Sequence, residues 1–344
     1  MTEILSDDKN ELQLNRRGLL LGSAGLGLAT ATGGGLMLAS KPALAASGLD
    51  QVPYFYRFRI GELIGTVVSD GILPLGEPTG SFSGPSKEEL QAILTRNFLS
   101  TENTILEQNI LVIDAGDQRI LFDTGMGTSD LFGPTTGKLN ANLVAAGIDA
   151  ASITAIVCTH GHCDHVWGIM SDAGEQIFPN AQIWISEADF DFWTDEAKLS
   201  VKDPAWMPAF VDGARRNLLP NQDRMKFFKD GEEFLPGLQA MSTPGHTVGH
   251  TSFIVTSGND TLVVIGDLTH HHAILMEKPL TEFAFDTDPA QSAQTRVRAL
   301  DMIAAQRLPI IAYHFPWPGI GHVEKVGDGF RYHPAPMIMQ EIPA

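Results

Sequence analysis

Apolar residues recur in short runs from Phe55 onward, each closed by a polar or glycine-containing turn, and this pattern predicts strands interleaved with a few helices. Phe58, Ile60, Leu63, Ile64, Val67 and Val68 predict strands between residues 55 and 70. Residues 71–102 are rich in Gly, Pro and Ser and read as a long surface loop that shapes a pocket, with a short helix over 87–94. Residues 110–113 and 120–122 flank Ala115-Gly116-Asp117-Gln118 as a hairpin that ends at Asp123-Thr124-Gly125. Leu139, Leu143 and Ala146 stand at helical spacing, and Gly147 stops that helix. Residues 153–158 are an apolar, β-branched strand, and 182–185 form another that runs into a helix starting at Glu187.

The second half repeats the theme. Residues 238–242, 253–255 and 262–265 predict strands, the last two pairing around Ser257-Gly258-Asn259-Asp260. Asp288-Pro289 opens a helix to about Gln306, with proline suited to the first helical position, and 309–313 is a closing strand. Strands, a helix and a strand ending in polar residues occur in both halves, an echo of internal duplication. The class is α/β.

What those strands deliver is chemistry. All eleven histidines lie at or after position 160. Strand 153–158 leads into His160-Gly161-His162-Cys163-Asp164-His165, strand 238–242 into Thr243-Pro244-Gly245-His246, strand 262–265 into Gly266-Asp267, and strand 309–313 into His314. Alternate side chains of an extended segment face one way, so His160 and His162 can grip one ion while Asp164 and His165, past a turn, reach a second. Imidazole and carboxylate donors suit zinc, with manganese, iron or cobalt as alternatives. Asp267 is the candidate carboxylate between two divalent ions, and it and Asp164 are the candidate catalytic acids. Water held by such ions ionises near neutral pH and would serve as a hydroxide nucleophile on a carbonyl or phosphoryl centre. No serine or cysteine triad motif is needed. His270 of the His270-His271-His272 run is expected to contact the site from outside, with its two neighbours facing solvent; His250, His322 and His333 are expected in loops as hydrogen-bonded residues.

Residues 1–45 read as an export leader: Asn15-Arg16-Arg17-Gly18-Leu19-Leu20-Leu21, a Gly/Ala/Leu-rich run, and Ala43-Leu44-Ala45 as the cleavage site. It resembles a twin-arginine signal, which implies export of a folded chain to the periplasm or beyond. A retained membrane anchor is the alternative, disfavoured by the glycines between Gly22 and Gly35. The mature chain from residue 46 has room for one domain and no stable membrane insertion is expected. Its formal charge of −18 opposes nucleic acid and anionic lipid and favours a small neutral or cationic substrate. Cys158 and Cys163 are read as reduced packing residues.

These motifs resemble the metallo-β-lactamase superfamily: Asp123-Thr124-Gly125, the His160–His165 motif, Thr243-Pro244-Gly245-His246-Thr247-Val248-Gly249-His250 and Gly266-Asp267. The resemblance implies an αββα sandwich with metals at one edge between the sheets. It assigns His160, His162 and His246 to one ion, Asp164, His165 and His314 to the other, Asp267 to both, and Asp123 to ordering the ligand loop. Leu131-Phe132-Gly133-Pro134, the run from Gly266 to His270 and the run from His314 to His322 look similar to the methyl parathion hydrolase-like branch, which implies phosphotriester, lactone or aryl-ester hydrolysis. Acyl-homoserine lactonase activity and a non-catalytic metal-binding role are the competing readings. Family relatives are often dimers, so a homodimer is an expectation of the resemblance. Phe190, Phe192, Trp193 and Phe315 or Trp317 are the expected apolar pocket.

Overall fold

The computed structural model describes residues 54–338; the leader and its cleavage site lie outside them. The first sheet uses β1 (Phe55–Ile60), β2 (Leu63–Gly76), β3 (Thr104–Ala115), β4 (Gln118–Phe122), β5 (Ala155–Val157), β6 (Gln182–Ser186) and β7 (Met225–Phe228), hydrogen-bonded in that order. The second uses β8 (Glu233–Leu235), β9 (Leu238–Ser242), β10 (Thr251–Ser257), β11 (Asp260–Val264), β12 (Pro309–Ile311), β13 (Ile320–Val326) and β14 (Gly329–Pro334), again in order. The helices are α1 (Lys87–Arg96), α2 (Leu139–Ala145), α3 (Cys163–Val166), α4 (Glu187–Thr194), α5 (Met207–Leu218), α6 (Ile274–Glu277) and α7 (Pro289–Gln306). Each half of the chain therefore builds one sheet, as the repeated pattern suggested.

Alternation decides which side chains go where. On β3, Leu111 and Ile113 face the other sheet and join Phe122, Val157, Phe253 and Val264 in the central core. Ile110 and Val112 face outward and are covered by α2, α3 and α5 through Leu143, Val166 and Val211. The second sheet turns Val263 and Ile310 outward against Leu300 and Ile303 of α7. The layers are helix, sheet, sheet, helix, the αββα sandwich of the metallo-β-lactamase fold.

β4 to β7 run parallel, as do β11 and β12, so the strand ends that carry polar residues gather at one edge. The predicted hairpin is β3–β4, with Leu111 opposite Phe122 and Ala115 opposite Gln118. Asp288 caps α7 by accepting from the Gln291 amide at 2.9 Å, with Pro289 in the first turn.

The segment 71–102 corrects the expectation of a loop. β2 continues to Gly76, paired with Thr104–Glu107 of β3 after a bulge between Ser69 and Ile72. Gly71 sits at φ +109° in that bulge, and a Cβ there would lie 1.9 Å from the Thr135 carbonyl oxygen, so no other residue fits. Beyond it Phe82, Leu90, Ile93 and Leu94 form a satellite core with Leu73, Leu106, Ile274 and Phe283. Gly71, Pro74 and Gly76 disguised a strand whose apolar residues, Ile72, Leu73 and Leu75, are interleaved with them and whose partner, residues 104–107, lies beyond α1. α5 was likewise missed, and His322 and His333 stand opposite each other on β13 and β14 instead of in loops. Among the described residues no helix is long and apolar enough to cross a membrane.

Candidate metal centre

All seven sequence candidates converge at the edge where the strands end. β5 delivers His160 and His162; α3 then begins, and its first turn turns Asp164 and His165 toward the same point. β9, β11 and β12 deliver His246, Asp267 and His314. All seven are buried. His160, His162 and His246 form one set of ligand atoms within 4.8 Å of one another, and Asp164, His165 and His314 form another. Asp267 lies between them: its Oδ2 is 3.2 Å from His246 Nε2, 3.8 Å from His160 Nε2, 3.3 Å from His165 Nε2 and 3.1 Å from His314 Nε2.

The far side of most rings is tied down, which fixes the near side. His165 Nδ1 is 2.8 Å from Asp123 Oδ2, His246 Nδ1 is 2.7 Å from Asp286 Oδ1, His314 Nδ1 is 2.7 Å from the Glu107 carbonyl, and His160 Nδ1 is 3.0 Å from Thr159 Oγ1. A proton held on Nδ1 by a carboxylate or carbonyl leaves the Nε2 lone pair aimed at the centre. Asp123 also accepts from the Thr159 amide and hydroxyl, at 2.8 and 2.9 Å, from a left-handed backbone at φ +64°. His250 Nε2 accepts from the Asp267 amide at 3.0 Å and so sets that carboxylate's backbone.

Electrostatics make the cluster a sink for positive charge. Burial holds His160 and His162 well below the usual imidazole range, so both are neutral donors of lone pairs. Burial works against charge on Asp267 too, yet His314, His165 and His270 hold its carboxyl well below the ordinary value. His246, despite burial, is drawn up to about 9 by Asp267 and Asp286. His162 Nε2, His165 Nε2 and Asp267 Oδ1 are buried with no hydrogen-bond partner, a costly state that a coordinated cation relieves. The neutral imidazoles of His160 and His162, ionised Asp267 and the unpartnered inward atoms fit divalent metal, with Asp267 shared.

Several contributors were not singled out from sequence. Asp286 orients His246 and Asp189 joins two ligand loops, accepting from the Gly161 amide at 2.8 Å, the Gly249 amide at 2.6 Å and Thr247 Oγ1 at 2.8 Å. Their partners lie 40 and 28 or more positions away, so no local pattern could flag them. His270 is closer than expected. Its Nε2 is 3.1 Å from Asp267 Oδ2, and it forms a ligand-capable set with His246 and Asp267. His271 does not face solvent: it is buried and accepts from the Ala273 and Ile274 amides, while His272 stacks on it half-buried.

The pocket over the centre is lined by Leu73, Leu75, Leu106, Phe132, Phe210, Phe283 and Phe285, with Cys163 and His270 as its polar members outside the seven candidates. Among the described residues no lysine or arginine lines it. The aromatic residues expected there lie elsewhere. Phe190 packs on Phe227, Trp193 is fully buried against His162, Phe315 lies under α7, and Trp317 meets Tyr54. Periodicity marked them as apolar but could not say which apolar residues face the opening. Both cysteines are free and buried.

One buried acid near this edge predicts a pH effect. Asp70, rotated inward by the bulge, accepts from the amides of Met126, Leu139 and Gly137, but burial dominates and lifts its carboxyl to about 6. Between pH about 4 and 6 the folded chain then keeps a proton that the unfolded chain has lost, so this group's contribution to stability falls as pH rises through that window. Urea unfolding at pH 4 to 7 is expected to show the wild type losing stability relative to Asp70→Asn as pH rises. A difference that does not change with pH would count against it.

The geometry defines a centre able to hold divalent metal, and comparison with known proteins places the chain in a family. The family model of the metallo-beta-lactamase superfamily matches residues 103–314, and the chain belongs to that superfamily. Its structure is similar to AidC, described as a dizinc quorum-quenching lactonase, with 29% identity, a TM-score of 0.77 and 83% of this chain and 98% of that one covered. Similarity to the hydrolase AbOPH of the beta-lactamase superfamily is 28% identity at a TM-score of 0.77, covering 83% and 99%. Metallo-beta-lactamase domain-containing protein 1 of Xenopus laevis is 30% identical over 141 residues, 40% of this chain and 48% of that protein. The chain spans less than half the length of the curated relatives it matches.

Proposed function

We propose that this chain is a two-metal hydrolase of small neutral esters, with lactones, aryl esters and phosphotriesters as its substrate classes, akin to the methyl parathion hydrolase-like branch. One observation carries the reading: two ligand sets share Asp267 beneath an aromatic pocket that, among the described residues, has no lysine or arginine in its wall. His160, His162 and His246 would hold one ion, Asp164, His165 and His314 the other, and Asp267 both; zinc suits these donors, with manganese, iron or cobalt as alternatives. Such ions supply Lewis acidity and lower the pKa of water toward 7. The apolar wall excludes bulk water and takes the substrate's hydrophobic substituent. Asp164, which lines the pocket, is the carboxylate suited to accept and pass on a proton.

The likeness to a quorum-quenching lactonase favours N-acyl-homoserine lactones within this range. Tyr313 is not free to assist such a substrate, because its buried hydroxyl donates to the Asp164 carbonyl at 2.5 Å. The reading includes export by the twin-arginine route and a periplasmic location. Turnover by the metal-replete protein of a panel of acyl-homoserine lactones, aryl esters and phosphotriesters, compared as kcat/KM, tests it. Two tightly held ions with no hydrolysis across the panel would instead favour a binding role.

The wall makes its own prediction. Phe285 touches Phe132, Trp206, Phe210 and Phe283, with ring centroids 5.5–6.1 Å apart. Phe285→Ala is expected to raise KM roughly tenfold for substrates with long acyl or aryl groups, about 1.4 kcal/mol of lost apolar contact, and to spare acetyl esters. Equal KM changes for long and short substrates would remove Phe285 from the wall.

A further inference from the structure

Arg296 of α7 is a fully buried guanidinium that touches none of the ligand side chains, yet its reach spans their supports. Nε donates to the Leu268 carbonyl at 3.0 Å, the residue after Asp267. Nη1 donates to the carbonyls of Pro279 and Thr281 at 2.7 and 2.8 Å, closing the excursion that follows. Nη2 lies 3.8 Å from Asp286 Oδ2, the carboxylate whose other oxygen holds His246 Nδ1. The start of α7 also clasps the His246 loop, since the Thr287 and Asp288 amides donate to the carbonyls of His246 and Gly245 at 2.8 and 2.9 Å. Gly245, at φ +131°, lies so near that a Cβ would be 2.2 Å from the Ser292 nitrogen.

The other ligand set hangs on different supports. His165 is held by Asp123 and His314 by the Glu107 carbonyl, both on the first sheet's side. We infer that Arg296 is a positioning residue for the His246 side of the centre: by pairing its charge with Asp286 at 3.8 Å, without a hydrogen bond between them, and by fixing the start of the segment after Asp267, it sets affinity for the ion of His160, His162 and His246 more than for that of Asp164, His165 and His314. A buried charge with five directed donors suits this task, because it neutralises Asp286 and locks three carbonyls in one fork. The inference rests on the two-metal reading.

The test is stepwise zinc titration of the full chain against a competing chelator, with cobalt spectra to tell the three-imidazole environment from the one that contains Asp164. Wild type is expected to hold two ions. Arg296→Lys and Asp286→Asn are each expected to weaken the ion of His160, His162 and His246 by about 10–100-fold, the range for loss of a residue that orients a ligand, while the second ion keeps its affinity. Asp286→Asn is nearly isosteric, so it decides the matter if Arg296→Lys does not fold by circular dichroism. Folded variants that hold both ions as wild type does, or lose both equally, overturn the inference and leave the two-metal reading standing. Wild type holding fewer than two ions sinks that reading and this inference with it.

Discussion

Asp267→Ala is expected to lower bound metal from two ions per chain to one or fewer and to cut hydrolysis by at least ~10³-fold. Its Oδ2 has five imidazole nitrogens within 3.8 Å, those of His160, His165, His246, His270 and His314. Two divalent charges about 4 Å apart repel by something on the order of 16 kcal/mol at an effective dielectric near 20, so an anion between them is what allows both to stay. Losing even about 4 kcal/mol of that compensation is a thousandfold in rate. Asp267→Asn, which keeps shape and loses charge, should fall almost as far. Metal analysis by mass spectrometry together with kcat/KM checks the expectation. An alanine variant with two tightly bound ions and an undiminished rate would remove Asp267 from the shared position and with it the proposed mechanism.

Asp189→Ala is expected to destabilise the fold by about 3–5 kcal/mol and to loosen metal at the same time. The carboxylate is the junction between the His160–His165 and Thr243–His250 loops. Alanine orphans the Gly161 and Gly249 amides and the Thr247 hydroxyl together, and each unsatisfied buried group costs about 1–3 kcal/mol. Burial lifts this carboxyl to about 6 against the pull of those three donors, so the charge itself is expensive to hold and only its bonds offset the cost. Urea unfolding of the metal-bound and chelator-treated protein separates the two effects. A variant within 1 kcal/mol of wild type in both forms would mean that water replaces the carboxylate and that the loops do not depend on it.

Much of this was legible before any coordinates. The candidate donors survive in sequence because they follow short apolar strands, most of which announce themselves by β-branched runs: residues 153–158 ahead of His160, 262–265 ahead of Asp267, 309–313 ahead of His314. The sandwich was implied by the resemblance of the motifs to the metallo-β-lactamase superfamily, whereas the local patterns gave the strands and helices without their layering. Where several apolar residues competed for one role the pattern was silent. It chose Phe190, Phe192 and Trp193 for the pocket, whereas Phe132, Phe210, Phe283 and Phe285 line it, because orientation toward an opening depends on packing and not on hydrophobicity.

By itself, then, the chain's order of residues determined the α/β class of fold, the seven candidate donors and the acidic charge. Three-dimensional packing alone decided that β2 runs on through the supposed loop, that His270 reaches Asp267 while His271 caps a helical turn, and that Asp189, Asp286 and Arg296 brace loops distant in sequence. The reason is physical. Strands and helix caps are set by neighbours within a few residues, whereas a buried carboxylate or guanidinium finds its donors and acceptors only after elements far apart in the chain have been brought together.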